Sequence, residues 1–270
     1  MQLGNASWGF RKTPLEEQLK ITRDMGLSLL ELDIANGEGG LSLDANDNDL
    51  VKVKRLFADY DVKLKCAATG NDFTGGNSED VPKIKRVIDI CEKLGVEYLR
   101  IFAGFSPAAE ITGTRWNIMI SCLNEVTRYA SSKLALCVET HGGVRIFDDG
   151  VEHFHSVTTL PETLRRIMSE TPDSLKFLYD PANLWAVGNS NPANITELLA
   201  DRIAIAHLKD FVTLPSGHIR PAACGESEID WQKALAPIAH RSIPALFEYE
   251  NTEDVAAGCR RCLKYISELI

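Results

Sequence analysis

Nothing in this chain offers a positive surface. Asp and Glu outnumber Lys and Arg by 38 to 29, a formal net charge of −9, and the basic residues form no run. The clustered field that grips a phosphate backbone is therefore missing, which excludes nucleic acid as the expected partner. No stretch of 18 consecutive apolar residues occurs, so a membrane-spanning helix is not expected either. The segment Met1-Gln2-Leu3-Gly4-Asn5 lacks a basic region followed by an apolar one, and a cytoplasmic protein without an export leader is expected. Linkers, low-complexity runs and charge blocks are absent too, and one domain over residues 1–270 is the simplest organisation. The seven cysteines are an odd number scattered from Cys66 to Cys262, a pattern of reduced thiols and not of a disulfide framework. Cys259-x-x-Cys262 has neither a second pair nor a following His, so it reads as two helix neighbours one turn apart.

What is present is an ordinary globular composition, 44% hydrophobic and 25% charged, arranged in a strict alternation. Short β-rich apolar runs (Leu3–Ser7, Leu29–Ile34, Val62–Ala68, Val96–Ala103, Leu134–Val138, Leu175–Tyr179, Ile203–Lys209, Pro244–Tyr249) alternate with amphipathic segments. The first of these segments opens on Thr13-Pro14-Leu15-Glu16, a capping-box spacing with Pro at the first helical position. Another, from Ser78 to Leu94, stops at Gly95. Strands separated by helices pair in parallel, because each crossover helix returns the chain to the same end of the sheet. Eight such units predict an α/β fold of the (β/α)8 TIM barrel type. The alternative, an open doubly wound sheet, lacks the Gly-x-Gly-x-x-Gly turn after the first strand that a nucleotide crevice needs.

In a barrel the carboxyl ends of the strands build the active site. Here the fifth strand ends at Glu139, the sixth at Asp180, the seventh at His207, and the eighth at Glu248 or Glu250. Three carboxylates and an imidazole at one mouth repel or desolvate one another unless a cation neutralises them. Three oxygens and one nitrogen suit one divalent metal ion, Mn, Mg, Co or Zn, and the absence of thiolate argues against a structural zinc site.

The segments Glu139-Thr-His-Gly, Asp180-Pro-Ala-Asn-Leu, His207-Leu-Lys-Asp, Gly225-Glu-Ser-Glu-Ile-Asp-Trp and Phe247-Glu248-Tyr-Glu, in this order, resemble the signatures of the xylose isomerase-like barrel superfamily. The similarity is greatest to its sugar isomerase and epimerase branch and extends to Met25–Leu32. The resemblance implies a metal held by Glu139, Asp180, His207 and Glu248, with Glu139 and Glu248 also exchanging protons on opposite sides of a hydroxyketone. Glu248 is preferred to Glu250 because the family ligand directly follows the apolar run, although both share one face. The resemblance further implies that Arg220, ahead of Gly225, binds a substrate oxygen. His141 and Lys209 lie at the same mouth as candidates to orient ligands or substrate, and Glu31 is a candidate to hydrogen-bond a substrate hydroxyl. Trp8 and Trp185 are candidates for an apolar wall.

Two positions depart from the epimerase pattern. Asn183 stands where many members carry His, and it can hydrogen-bond a hydroxyl but cannot carry a proton. Arg145 stands where epimerases place an acid. The expected function is thus a divalent-metal-dependent isomerase or epimerase of a small sugar or hydroxycarbonyl substrate. A metal-dependent lyase (dehydratase) and a non-catalytic sugar-binding protein are the alternatives. A DNA-repair endonuclease of the same barrel needs extra histidines where this chain has Asn183 and Arg220. The sequence leaves a homo-oligomer open.

Overall fold

The computed structural model describes residues 1–270. In chain order the chain forms β1 (Gln2–Asn5), α1 (Leu15–Asp24), β2 (Leu32–Asp33), α2 (Asp47–Asp59), β3 (Cys66–Ala68), α3 (Asp80–Leu94), β4 (Tyr98–Ile101), α4 (Gly113–Ala130) and β5 (Ala135–Glu139). It continues through β6 (Gly143–Ile146), β7 (Val151–Phe154), α5 (Pro161–Glu170), β8 (Lys176–Tyr179), α6 (Pro181–Ala186), α7 (Ala193–Leu199) and β9 (Ile203–Leu208). The last elements are β10 (Asp210–Thr213), β11 (Ile219–Ala222), α8 (Trp231–Leu235), β12 (Pro244–Phe247) and α9 (Val255–Ser267). Local chemistry accounts for several boundaries. Asn46 and Asp49 form a reciprocal capping box that starts α2, and Gly95, at φ 80°, ends α3 in the left-handed region.

Eight strands form one parallel sheet in the order β1-β12-β9-β8-β5-β4-β3-β2, with helices between them. An α/β sheet is thus present as expected, but its regular ladder stops short of a complete ring. Between β2 and β1 there is one isolated parallel bridge, Asn5 with Leu30. Asn5 N–H donates to Leu29 O at 3.0 Å, and Glu31 N–H to Asn5 O at 2.9 Å. The approach is close enough that a Cβ on Gly4 would stand 2.4 Å from Leu29 O, so only glycine fits there.

Strand alternation divides the core into two parts. Leu30, Ala67, Leu99, Val138, Phe177, Ala206 and Phe247 belong to a large cluster shared with the helices. Their neighbours of opposite parity, Leu29, Cys66, Cys137, Leu178, Ile205 and Leu246, join Ala6 in a separate small cluster enclosed by the curled sheet. Two residues further along the same strands come Glu31, Ala68, Glu139, Asp180, His207 and Glu248, all buried. Except at Ala68, the interior layer therefore changes from apolar to ionisable within one period of the strand.

The chain also forms a second sheet, antiparallel, in the order β10-β11-β7-β6. No apolar run of the sequence predicts strands over residues 143–154 or 210–222.

Candidate metal centre and its cavity

Ligand atoms of Glu139, Asp180, His207 and Glu248 lie within 4.8 Å of one another, and all four residues are buried. Each sits at or just past the carboxyl end of β5, β8, β9 or β12. Neighbouring groups hold the acids in place. Asn183 Nδ2–H donates to Glu139 Oε1 at 3.0 Å, and Asn183 N–H to Asp180 Oδ1 at 3.0 Å. His207 Nδ1 is 3.2 Å from Glu248 Oε1, and its Nε2 is 3.4 Å from Glu31 Oε1.

The donor set fits a divalent ion. Asp180 Oδ2 and both ring nitrogens of His207 are buried without a hydrogen-bond partner. Unpaired buried polar atoms are costly unless something coordinates them. Three hard oxygens with one imidazole match Mn, Mg, Co or Zn.

Two buried cations share the site. Arg100, on β4, has its Nε 3.3 Å from Glu139 Oε2, donates through Nη1 to Thr69 O at 3.0 Å, and lies over the Phe102 ring at 4.4 Å. Lys209 donates to Glu248 Oε2 and Glu250 Oε1, each at 2.8 Å, and stands 3.3 Å from Asp180 Oδ2. Arg100 was missed in the sequence because it lies inside the fourth apolar run and not at its end. Parity was the available signal, since it stands two residues after Tyr98, which packs against the interior cluster.

The electrostatics follow from burial and neighbours. Burial, and then the Glu248 charge, push the Glu139 carboxyl up to about 7 despite Arg100. Burial likewise lifts Asp180 to about 6, with Lys209 opposing. Burial disfavours charge on His207, yet Glu248 and Glu31 hold it well above the usual imidazole range. Glu248 is kept well below the carboxylate range, against burial, by His207 and Lys209.

A cavity of about 500 Å³ opens above this centre. Its floor carries Arg100, Glu139, Lys209, Glu248 and Glu250, and its walls include Trp8, Phe102, Phe105 and His141. The antiparallel sheet supplies Val144, Val151, His153, Phe211 and Pro221. His153 is neutral at ordinary pH, since burial and Lys209 depress it to about 4; burial and Lys209 likewise hold His141 well below the imidazole range.

Not every expected residue reaches the cavity. Arg220 is exposed on β11, where alternation sends Pro221 inward and Arg220 away from the cavity, which corrects its expected substrate contact. Glu31 is fully buried and does not line the cavity: its Oε2 accepts from Ser7 N–H at 3.2 Å and Ser7 Oγ–H at 3.0 Å, and its Oε1 faces His207 Nε2 at 3.4 Å, which corrects its expected contact with a substrate hydroxyl. Asn183 is buried behind Glu139 and orients that acid. Trp8 lines the cavity, but Trp185 packs against the core from α6. Arg145 pairs with Glu152 at 2.5 Å across the β6–β7 hairpin, outside the cavity. Cys259 and Cys262 are buried in α9, where Cys224 N–H donates to Cys262 Sγ at 3.1 Å.

A parallel α/β sheet with acids and a histidine at its strand ends places the protein in the class of barrel-related α/β proteins with a candidate divalent-metal centre. The xylose isomerase-like TIM barrel model matches residues 19–266, and the chain belongs to that family. No curated protein sequence matches the chain. Among solved structures, it is similar to the probable 3-DHS dehydratase AsbF involved in petrobactin synthesis from Bacillus anthracis. The identity there is 12%, with 99% of each chain covered and a TM-score of 0.78. It is also similar to a D-allulose 3-epimerase from Methylomonas sp. (14% identity, 100% of this chain and 98% of that chain, TM-score 0.76). A third, the IOLI protein with a bound zinc atom, shares 16% identity over 100% of this chain and 98% of that chain, with a TM-score of 0.73. At these identities the likeness concerns the fold. No helix is long and apolar enough to cross a membrane.

Proposed function

We propose that residues 1–270 form one catalytic domain that isomerises or epimerises a small sugar or related hydroxycarbonyl compound with one divalent ion. The observation that carries this reading is the buried set Glu139, Asp180, His207 and Glu248, with unpaired donor atoms beneath a cavity. When bound, the ion would supply Lewis-acid stabilisation of an enediolate, a contribution of several kcal/mol.

The protein's own groups do the rest. Glu139 and Glu248 both line the cavity, which supports them as the pair that takes and returns the proton beside the carbonyl. Burial and the Glu248 charge tune Glu139 to about 7, near the range where an acid both accepts and releases a proton at neutral pH. Arg100 prevents Glu139 from rising further. Asn183 fixes the Glu139 carboxylate by its amide and cannot itself carry a proton. Trp8, Phe102 and Phe105 exclude water from one side of the substrate.

Loss of water is the second reading, and Lys209 favours it. Its ammonium lines the cavity beside Glu248, where it can neutralise a departing hydroxide. The test is incubation of the metal-loaded protein with a panel of ketoses and cyclic hydroxyketones, with and without chelator. Chelator-sensitive conversion to an isomer or epimer supports the first reading, and an unsaturated product the second. No conversion of any member sinks both.

A further inference from the structure

We propose that Lys209 is a built-in competitor for the divalent ion, and that Glu250 is the carboxylate to which it withdraws when the ion binds. The proposal rests on the metal reading of Glu139, Asp180, His207 and Glu248. Asp180 Oδ1 is engaged by Asn183 N–H, which leaves Oδ2, held by no hydrogen bond, for an ion. Lys209 Nζ already stands 3.3 Å from that oxygen and donates to Glu248 Oε2 at 2.8 Å. It thus bridges the two carboxylates that an ion would have to draw together.

Ion–oxygen bonds of about 2.0–2.2 Å cannot form there while an ammonium occupies the same oxygens, because the two cations repel at close range in a buried site. The lysine stem is flexible and its charge compact, so it can shift without unfolding the strand end. A destination exists. Glu250 Oε1 accepts from the same ammonium at 2.8 Å, lies one strand period outward from Glu248, and also lines the cavity. With Glu250 the displaced ammonium stays paired, and without it a buried charge is stranded. The arrangement also assigns a role to the glutamate that shares a face with Glu248 but lies outside the four-residue cluster.

Opposite effects at two residues follow. Lys209→Met removes the competitor, so Mn²⁺ should bind roughly 10-fold or more tightly. Glu250→Gln leaves the ammonium on Asp180 and Glu248, so binding should weaken by roughly 10-fold or more, the scale typical of groups just outside a metal's ligands. A lysine that merely positioned the acids would make both variants bind more weakly. The experiment is calorimetric titration of Mn²⁺ into chelator-stripped full-length protein, for wild type, both single variants and the double variant. The double variant should bind like Lys209→Met, because Glu250 then has no ammonium to hold. In chelator, Lys209→Met should melt below wild type and gain more on Mn²⁺ addition. Equal or weaker binding by Lys209→Met, or equal or tighter binding by Glu250→Gln, overturns the proposal while leaving the metal centre intact. If Lys209→Met does not fold, Glu250→Gln alone decides in the same way. Failure of every form to bind Mn²⁺ overturns the metal reading and the proposal together.

Discussion

Arg100→Met removes a buried charge while keeping a stem of similar length, and its cost can be worked from the geometry. The guanidinium Nε is 3.3 Å from Glu139 Oε2, and both residues are buried. At that distance, with an effective dielectric of about 20, the Coulomb attraction is about 5 kcal/mol. Removing one partner of a buried pair costs about 3–5 kcal/mol, since the other is left uncompensated. Glu139 has an escape, because burial already lifts it to about 7 and it takes up a proton once Arg100 is gone. That places the loss near the lower end, about 3 kcal/mol. At about 2–4 °C per kcal/mol for a domain approaching this size, the melting temperature in chelator should fall by roughly 6–12 °C. Excess Mn²⁺ should restore part of the loss, because the ion supplies the missing positive charge. Arg100→Lys should lose less than Arg100→Met. Thermal unfolding followed by circular dichroism, with and without chelator, reads all of this. A melting temperature for Arg100→Met within about 2 °C of wild type in chelator would refute the reasoning.

His207→Ala and Asp180→Asn should each weaken Mn²⁺ binding by more than about 100-fold while leaving the far-ultraviolet circular dichroism unchanged; full metal occupancy by inductively coupled plasma analysis of His207→Ala means the site is misassigned. Asn183→Ala deletes the 3.0 Å amide donor to Glu139 and should weaken the metal by roughly 10–100-fold, checked by the same titration. Metal affinity should also depend on pH, with a definite sign. Ions bind deprotonated ligands, and burial raises Glu139 to about 7 and Asp180 to about 6, so affinity is lost as pH falls through these values. His207, held above its usual range mainly by Glu248 and Glu31 against burial, must also release a proton, so affinity should continue to rise above pH 7. Titrations at several pH values that give one constant affinity contradict this.

The parts of the fold that were readable from sequence are those where burial forces a period. Strands β5, β9 and β12 and the inner part of β8 are apolar on both faces until their ends, so the first ionisable residue after the run marks the mouth. Glu139, Asp180 and His207 were found that way, and the structure brings them together with Glu248. Arg100 escaped the same rule because it is buried within its strand, where a cation is unexpected until the acids on β2 and β5 are seen beside it. The β10-β11-β7-β6 sheet escaped for another reason. Its strands mix exposed Arg145, Glu152 and Arg220 with inward Val151, His153 and Pro221, so no run is apolar enough to announce a strand. Without that sheet, the direction of Arg220 could not be derived, and the family motif placed it at the substrate. Glu31, one residue ahead of β2, stands 3.4 Å from His207 Nε2 through packing between strands distant in sequence, which no local pattern reveals.

The central claim is that this cavity removes and returns a proton on a carbon beside a carbonyl. Solvent deuterium uptake measures that step without requiring that the favoured product be known in advance. Metal-loaded protein in D2O, given a panel of ketoses and cyclic hydroxyketones and followed by proton NMR, should exchange the hydrogen next to the carbonyl of at least one compound. Chelator should abolish the exchange, and Glu139→Gln should slow it by roughly 100-fold or more, the scale expected of general base catalysis. Exchange that is undetectable on every compound, or that proceeds undiminished in Glu139→Gln, contradicts the account.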